Sequence, residues 1–423
     1  MLDIKFIREN PDIVKNALAA KNVDFDLDKF LSLDDERRAL IKKIDELRNR
    51  KNVANDEVKN IIKDKGNAGP KIEKMREISN ELDNLEKGFK DIKNNFDRDI
   101  LRIPNIPHFS VPKGGVSNNK IVKERGEFRN FGFKPATHID ISDYLGIIDF
   151  KRASKICGAN FSLFKAKGAF LVRALINFML DVHTKEHNYI EIWPPYIVNR
   201  ASMTATGQLP KLEDDMYRLK DEDYFLIPTA EVPITNMHRS EVIDEDNLPV
   251  SYVGYTACFR REAGSYGKGT RGLVRVHQFD KVELVKIVKP QGSYDELESL
   301  LADACSIIER LQIPYRVVML AEGDLSFAAA KCYDIEIYAP GINKWLEVSS
   351  CSNFEDFQAR RGSIKYKDKK TGRLNFVHTL NGSGVALARL IIAILENYQQ
   401  KDGTVEIPKV LRRYFDGEER IKK

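Results

Sequence analysis

Two stretches of the chain concentrate side chains that could handle a nucleotide. In Tyr255-Thr-Ala-Cys-Phe-Arg260-Arg-Glu262, an arginine and a glutamate stand two residues apart, which on a strand puts them on one face. In Leu273-Val-Arg275-Val-His-Gln-Phe279-Asp-Lys-Val-Glu283, odd positions again share a face and carry an arginine, an aromatic ring and a carboxylate. Guanidinium forks match phosphate oxygens, a base stacked on an aromatic ring is worth about 1 to 3 kcal/mol, and a carboxylate can receive a small polar ligand. Further on, Trp345-Leu-Glu347-Val-Ser-Ser350 offers hard oxygen ligands at a predicted strand end, suited to a magnesium ion bridging phosphates. In Asn381-Gly-Ser383-Gly-Val-Ala-Leu-Ala-Arg389, glycines open a close-approach turn, after which Ser383 and Arg389 begin a helix running to Gln400. Singly, each arginine reads as a surface ion-pair partner and Phe279 as core. The set, in its order, is what points to chemistry.

Elements able to position these groups follow from the surrounding pattern. Strands and helices mix without regular alternation, so an α+β domain is expected rather than a doubly wound sheet. A helix around Ala169 to Lys185 leads into Tyr189-Ile-Glu-Ile-Trp-Pro-Pro195, a strand ended by two prolines that cannot donate ladder hydrogen bonds and so need an edge or an interface. Gly264 to Gly272 reads as a flexible loop between the two site strands. The apolar set Leu387, Leu390, Ile391, Ile394 and Leu395 buries one helix face and fixes Arg389.

The N-terminal quarter is of another kind. Phe30, Leu33, Arg37, Leu40, Ile44, Leu47, Lys51, Ala54, Val58 and Ile61 alternate spacings of three and four, a heptad seam. Turn residues at Lys65 to Pro70 interrupt it, and Met75, Ile78, Leu82, Leu85, Phe89, Ile92 and Phe96 resume it. An antiparallel helical hairpin, about 27–100 and projecting about 50 Å, is expected. From Arg37 to Arg76 it holds 13 Lys or Arg against 6 Asp or Glu, so an anionic backbone could lie along it. A solvated coiled-coil face would explain the same charges.

The 423 residues divide naturally into two domains, 1–108 and 109–423. With 42% hydrophobic and 31% charged residues, no apolar run of membrane-spanning length and no secretory leader pattern, the chain reads as soluble and cytoplasmic, with no membrane partner. Five scattered cysteines, an odd number without a C-x-x-C pair, fit reduced thiols better than a disulfide framework or a zinc ribbon. His183-Thr-Lys-Glu186-His187 matches an inverted zinc-peptidase pattern, but five-residue matches arise by chance and no zinc is expected. The glycine-rich 264–270 stretch fails the Walker pattern because Glu262 occupies the first glycine position.

The chain resembles the bacterial seryl-tRNA synthetase family along its whole length: Met1 to Pro11, the hairpin, His138 to Phe150, Thr229-Ala230-Glu231, and three class II motifs at Tyr189–Pro195, Phe259–Glu283 and Asn381–Asn397. The resemblance implies an antiparallel six-stranded catalytic sheet flanked by helices, a homodimer formed through motif 1, and an arm that grips serine tRNA. It implies ATP contacts at Arg260, Arg261, Glu262, Arg275, Val276, Phe279, Glu347, Val348, Ser349, Ser350 and Arg389. Thr229, Ala230, Glu231, Arg260, Glu283 and Ser383 would contact L-serine, Glu347 and Ser350 would hold Mg2+, and Arg260, Arg275, Glu347 and Arg389 would be catalytic. Arg261 stands where the family usually has serine. The implied reaction activates L-serine with ATP to seryl-adenylate and transfers the seryl group to the 3′ end of serine tRNA, with selenocysteine tRNA a second acceptor to test. Two other functions stay open at this level: a related ligase charging a carrier protein, against which the arm argues, and a non-catalytic RNA-binding scaffold, against which the intact motif residues argue.

Overall fold

The computed structural model describes residues 1–263 and 271–423. Two compact units are present, one of Leu2–Pro104 and one of Asn105–Lys423 together with Met1.

In the smaller unit, helices α1 (Leu27–Lys63) and α2 (Gly69–Ile100) form the hairpin. The side chain of Asp26 caps α1 by accepting from the Lys29 N–H, satisfying one of the otherwise orphaned donors of the first turn. Pro70 sits in the first turn of α2, where its missing N–H costs nothing. The heptad seam closes as Ile44, Leu47, Ile78 and Leu82 pack together with Leu85 and Phe89 against them. The polar member Arg37 is also accounted for: its guanidinium lies 4.1 Å from the centroid of the Phe96 ring and ion-pairs with the fully buried Asp34 at 2.6 Å. Arg8 and Arg38 reach the same carboxylate at 3.5 and 3.3 Å.

In the larger unit, eight strands form one sheet: β1 (Lys120–Arg125), β2 (Ile190–Glu191), β3 (Val250–Phe259), β4 (Gln278–Val288), β5 (Tyr315–Met319), β6 (Lys331–Ala339), β7 (Lys344–Asn353) and β8 (His378–Ala386). Their spatial order is β1-β5-β6-β7-β8-β4-β3-β2, antiparallel throughout except for the β2–β3 pair. The expected six strands are the inner run from β5 to β3, and β1 and β2 extend it at either edge. Of the motif 1 stretch only Ile190–Glu191 joins the ladder; Pro194 and Pro195 prevent further pairing, and β2 is an edge strand as they require.

Three helices bury the sheet: α3 (Lys167–Lys185), α4 (Ser293–Arg310) and α5 (Leu387–Tyr398). Leu171, Leu175 and Met179, Leu297, Leu300 and Ile307, and Leu390, Ile391 and Ile394 share one core with Val282 and Leu284 of β4 and Val385 of β8. At about 1.5 to 3 kcal/mol per fully buried aliphatic side chain, this core fixes the sheet, and alternation sends the odd positions of β4 to its other surface. No helix among the described residues is long and apolar enough to cross a membrane.

Candidate active site

The open surface of the sheet carries a cleft of about 310 Å³, floored by β4, β7 and β8. Phe279 and Lys281 enter it from alternate positions of β4, as the period of two predicts for Phe279, whereas Glu283, on the same face, is fully buried and does not line it. The other predicted side chains arrive by routes that simple periodicity misses.

The strand carrying Arg260 and Glu262 ends at Phe259, and Glu262 has φ +50°, a left-handed turn. Main-chain bonds from Arg261 N–H to the Asp215 carbonyl and from Ala263 N–H to its carboxylate draw the chain off the ladder. The return strand begins at Gln278 rather than Leu273. Before it, Gly272 at φ +71° turns the chain, and Arg389 Nε donates to the Val274 carbonyl at 3.1 Å. Arg275 therefore reaches the cleft from a turn, 3.4 Å from Glu262. The glycine-rich stretch between them, read as a loop over Gly264 to Gly272, lies outside the described residues at 264–270.

Glu347 and Ser350 lie within β7, not at its end, and three residues apart they would face opposite ways on a regular strand. A bulge between Glu347 and Ser349 corrects the phase: Glu347 pairs with Glu336 and Ser350 with Asp334, which share a face. The Ser350 hydroxyl is 2.7 Å from Asp334 and 3.2 Å from Glu347. Ser383 likewise lies in β8, opposite Glu283 in register, and not at the head of a helix; α5 starts at Leu387. A second bulge after Ser383 lets Asn381, Ser383 and Ala386 all line the cleft. The glycines here serve packing in a strand: a Cβ on Gly382 would lie 2.2 Å from Leu300, and one on Gly384 2.9 Å from His183.

At one end of the cleft two buried carboxylates stand side by side. Glu283 ion-pairs with Lys281 at 2.5 Å, and Lys281 also donates to the Thr229 hydroxyl at 2.9 Å. Asn381 Nδ2 bridges Glu231 at 3.0 Å and Glu283 at 3.2 Å, while the Ser383 hydroxyl is 3.5 Å from Glu283. Glu231 is held by Gln358 Nε2 at 2.6 Å, and Gln358 accepts in turn from Thr379. Among the described residues no cation lies within ion-pair distance of Glu231. Burial, then the charge of Glu283, push the Glu231 carboxyl up to about 7; Glu283 is also raised by burial, against the pull of Lys281. Lys281, Asn381 and Gln358 were not singled out from sequence; only the odd-numbered phase of Lys281 with Phe279 and Glu283 pointed to it.

At the other end, Arg260 lies 5.3 Å from the centroid of the Phe279 ring and Arg389 Nη1 donates to the Glu347 carbonyl at 2.7 Å. Val276 and Val348 line the cleft between them but are buried, and the buried Ser349 hydroxyl turns to the Ser383 carbonyl at 2.6 Å. Three predicted residues are not among the lining set: Glu283, fully buried and paired with Lys281, Ala230 and Arg261. Ala230 is fully buried in a small core behind Glu231, and the exposed Arg261 donates to the Asp214 carbonyl at 3.1 Å. Away from the cleft, His183 and His187 face each other with Nδ1 atoms 3.0 Å apart, and Glu186 pairs instead with Arg310 at 2.6 Å. Burial, then the neighbouring His187, hold His183 at about 3.

An antiparallel sheet flanked by helices, with arginines, an aromatic ring and acids converging on its open face, is the arrangement of a class II aminoacyl-tRNA synthetase core; residues 213–398 match the tRNA synthetase class II core domain (G, H, P, S and T). Residues 1–107 match the seryl-tRNA synthetase N-terminal domain. A serine–tRNA ligase from Thermodesulfovibrio yellowstonii is 52% identical over 419 residues, spanning 98% of this chain and 99% of its own. One from Pelotomaculum thermopropionicum is 50% identical over the full length of both. The crystal structure of seryl-tRNA synthetase from Pyrococcus horikoshii complexed with ATP superposes with a TM-score of 0.91 at 39% identity, covering 100% of this chain and 99% of that one. The chain belongs to the seryl-tRNA synthetase family, and its activity is the ATP-dependent attachment of serine to tRNA.

Proposed function

We propose that the cleft performs both steps of this reaction with its polar end as the serine pocket and its arginine-lined end as the nucleotide pocket. The observation that carries the reading is the unequal treatment of the two buried glutamates. Glu283 already has Lys281, so it is free to accept a neutral hydroxyl, with Ser383 beside it. Among the described residues Glu231 bonds only to amides, with Lys281 and Arg260 acting on it from beyond ion-pair distance, and a buried carboxylate so incompletely compensated is costly. The ammonium group of serine is the missing cation.

With the amino group on Glu231 and the hydroxyl on Glu283, the serine carboxylate points toward Arg260, which spans from the Phe279 ring to the Pro228 carbonyl. Adenine would stack on Phe279, and Arg275 and Arg389 would hold the phosphates. A carboxylate oxygen attacks the α-phosphorus, the bond to the pyrophosphate oxygen breaks, and pyrophosphate leaves. In the second step a hydroxyl of the tRNA's terminal adenosine attacks the seryl carbonyl and AMP departs. A carboxylate nucleophile needs no general base, so positioning and charge neutralisation carry the first step.

The residues around Ser350 fit magnesium. Burial and the nearby Glu347 charge push the Asp334 carboxyl up to about 7, a pair of acids that a cation would relieve. Among the described residues no group of three or more His, Cys, Asp and Glu side chains could hold a metal. Glu347 and Ser350 would therefore hold the ion jointly with the phosphates, as Mg2+ prefers. Bound there, it would neutralise phosphate charge.

The basic hairpin would grip the tRNA. A homodimer through motif 1 accords with the edge strand β2 and the residues just after it, where Ile190 and Trp193 are 53% and 71% exposed. Serine-dependent ATP–pyrophosphate exchange, followed by charging of purified serine tRNA and selenocysteine tRNA, tests the assignment; absence of exchange with serine would overturn it.

A further inference from the structure

The run His138 to Phe150 has no role in the chemistry above, yet its first residue touches the site at one remove. His138 and Glu396 are both buried, 1% and 0% exposed. One oxygen of Glu396 accepts from the main-chain N–H of His138 at 2.9 Å and meets its Nδ1 at 3.0 Å. The other accepts from the N–H groups of Gly341 and Ile342 at 2.8 and 3.1 Å. A carboxylate so surrounded accepts from Nδ1, which fixes the proton there and leaves Nε2 with a lone pair.

That lone pair faces the turn ahead of Arg275. Leu273 N–H donates to His138 Nε2 at 3.3 Å, and a Cβ on Gly272 would lie 2.3 Å from the same nitrogen, so no other residue lets the chain pass so close. On the next residue, the Val274 carbonyl is taken by Arg389. Helix α5 thus serves the turn twice, through Arg389 directly and through Glu396 by way of His138. Leu273 itself is fully buried, so the turn cannot shift without losing packing as well.

We infer that His138 is a positioning residue: held in one tautomer by Glu396, it anchors the turn at Gly272–Leu273 and thereby sets where Arg275 meets the nucleotide phosphates. The inference rests on the assignment of Arg275 to the phosphates. Its signature is selectivity for one substrate, because Glu231 and Ser383 of the serine pocket stand outside both this turn and the strand it leads into.

The test is exchange kinetics on the full-length chain with ATP and serine varied separately. His138→Asn keeps a donor near the Nδ1 position for Glu396 but cannot reach Leu273. It is expected to raise KM for ATP about tenfold while KM for serine stays within about twofold. His138→Gln places an amide oxygen nearer Nε2 and should recover most of the ATP affinity, at the expense of Tm. Gly272→Ala drives a Cβ against His138 Nε2 from the side of the turn, with both His138 and Glu396 retained, and should reproduce the ATP-selective defect even if the histidine variants fold poorly. Unchanged KM for ATP in His138→Asn and Gly272→Ala, or equal rises for both substrates, would overturn the inference. A wild-type chain without serine-dependent exchange would instead overturn the functional assignment beneath it.

Discussion

Asp34 in the hairpin and Glu231 in the catalytic unit are both carboxylates with almost no solvent contact, and the molecule treats them in opposite ways. Three arginines, Arg8, Arg37 and Arg38, converge on Asp34. Glu231 receives two amides and the second acid Glu283 as a neighbour. The first charge is settled by folding, because the helices close around it. The second has no ion-pair partner among the described residues, and in the proposed reading the ammonium group of serine would supply one.

The largest effect should come from the acid proposed to receive the serine hydroxyl. Glu283→Ala is expected to cut serine-dependent exchange by roughly three orders of magnitude, since a site built to bond a hydroxyl loses most of its selectivity with that partner. Near-normal exchange in this variant would remove the basis for calling the polar end a serine pocket. Next, deleting Phe30 to Asp99 should leave exchange within about threefold while tRNA charging falls by about a hundredfold or more, the loss expected when phosphate contacts go. Equal loss of both activities would make the hairpin a folding element.

Glu231 offers a pH test. With its carboxyl at about 7 in the free protein, it is protonated below that pH and cannot pair with an ammonium group. Hence kcat/KM for serine should rise as pH increases through about 7 and level off above it. Glu231→Gln should lower kcat/KM by about tenfold to a hundredfold and flatten that rise; a rise that persists unchanged in the variant belongs to another group. The smallest effect on exchange should come from the settled charge. Asp34→Ala leaves three arginines without their buried partner and should destabilise the hairpin by about 3 to 5 kcal/mol, read as earlier local melting or faster hydrogen exchange, with pyrophosphate exchange unaltered. A fall in pyrophosphate exchange there would show that the two carboxylates are not independent.

The hairpin was legible because its seam repeats in one dimension: Ile44, Leu47, Ile78 and Leu82 announce their packing by spacing alone. Most of the cleft residues were legible too, since motif order names them. Their local geometry was not. Period-two reasoning put Arg260 and Glu262 on a strand, but a positive φ at Glu262 ends that logic, and it carried the return strand back to Leu273, five residues too early. Gln358 and Asn381 reach Glu231 from positions 127 and 150 residues away, and no spacing in sequence announces such a meeting. Arg261 was drawn in by its neighbours in the motif and is turned out by its own hydrogen bond to Asp214.

The bulges in β7 and β8 have a consequence for how such a chain can change. Each acts as a half-step in the reading frame of its strand, so that residues on both sides of Val348 and of Gly384 contribute to the same surface. Removing Val348 would close the bulge and leave Glu347 and Ser350 two residues apart on a regular strand, still opposite Glu336 and Asp334 and still on one face. The facing of the site residues is thus fixed by their cross-strand partners, and the unpaired residue of each bulge is the one that these two strands could lose without turning them away.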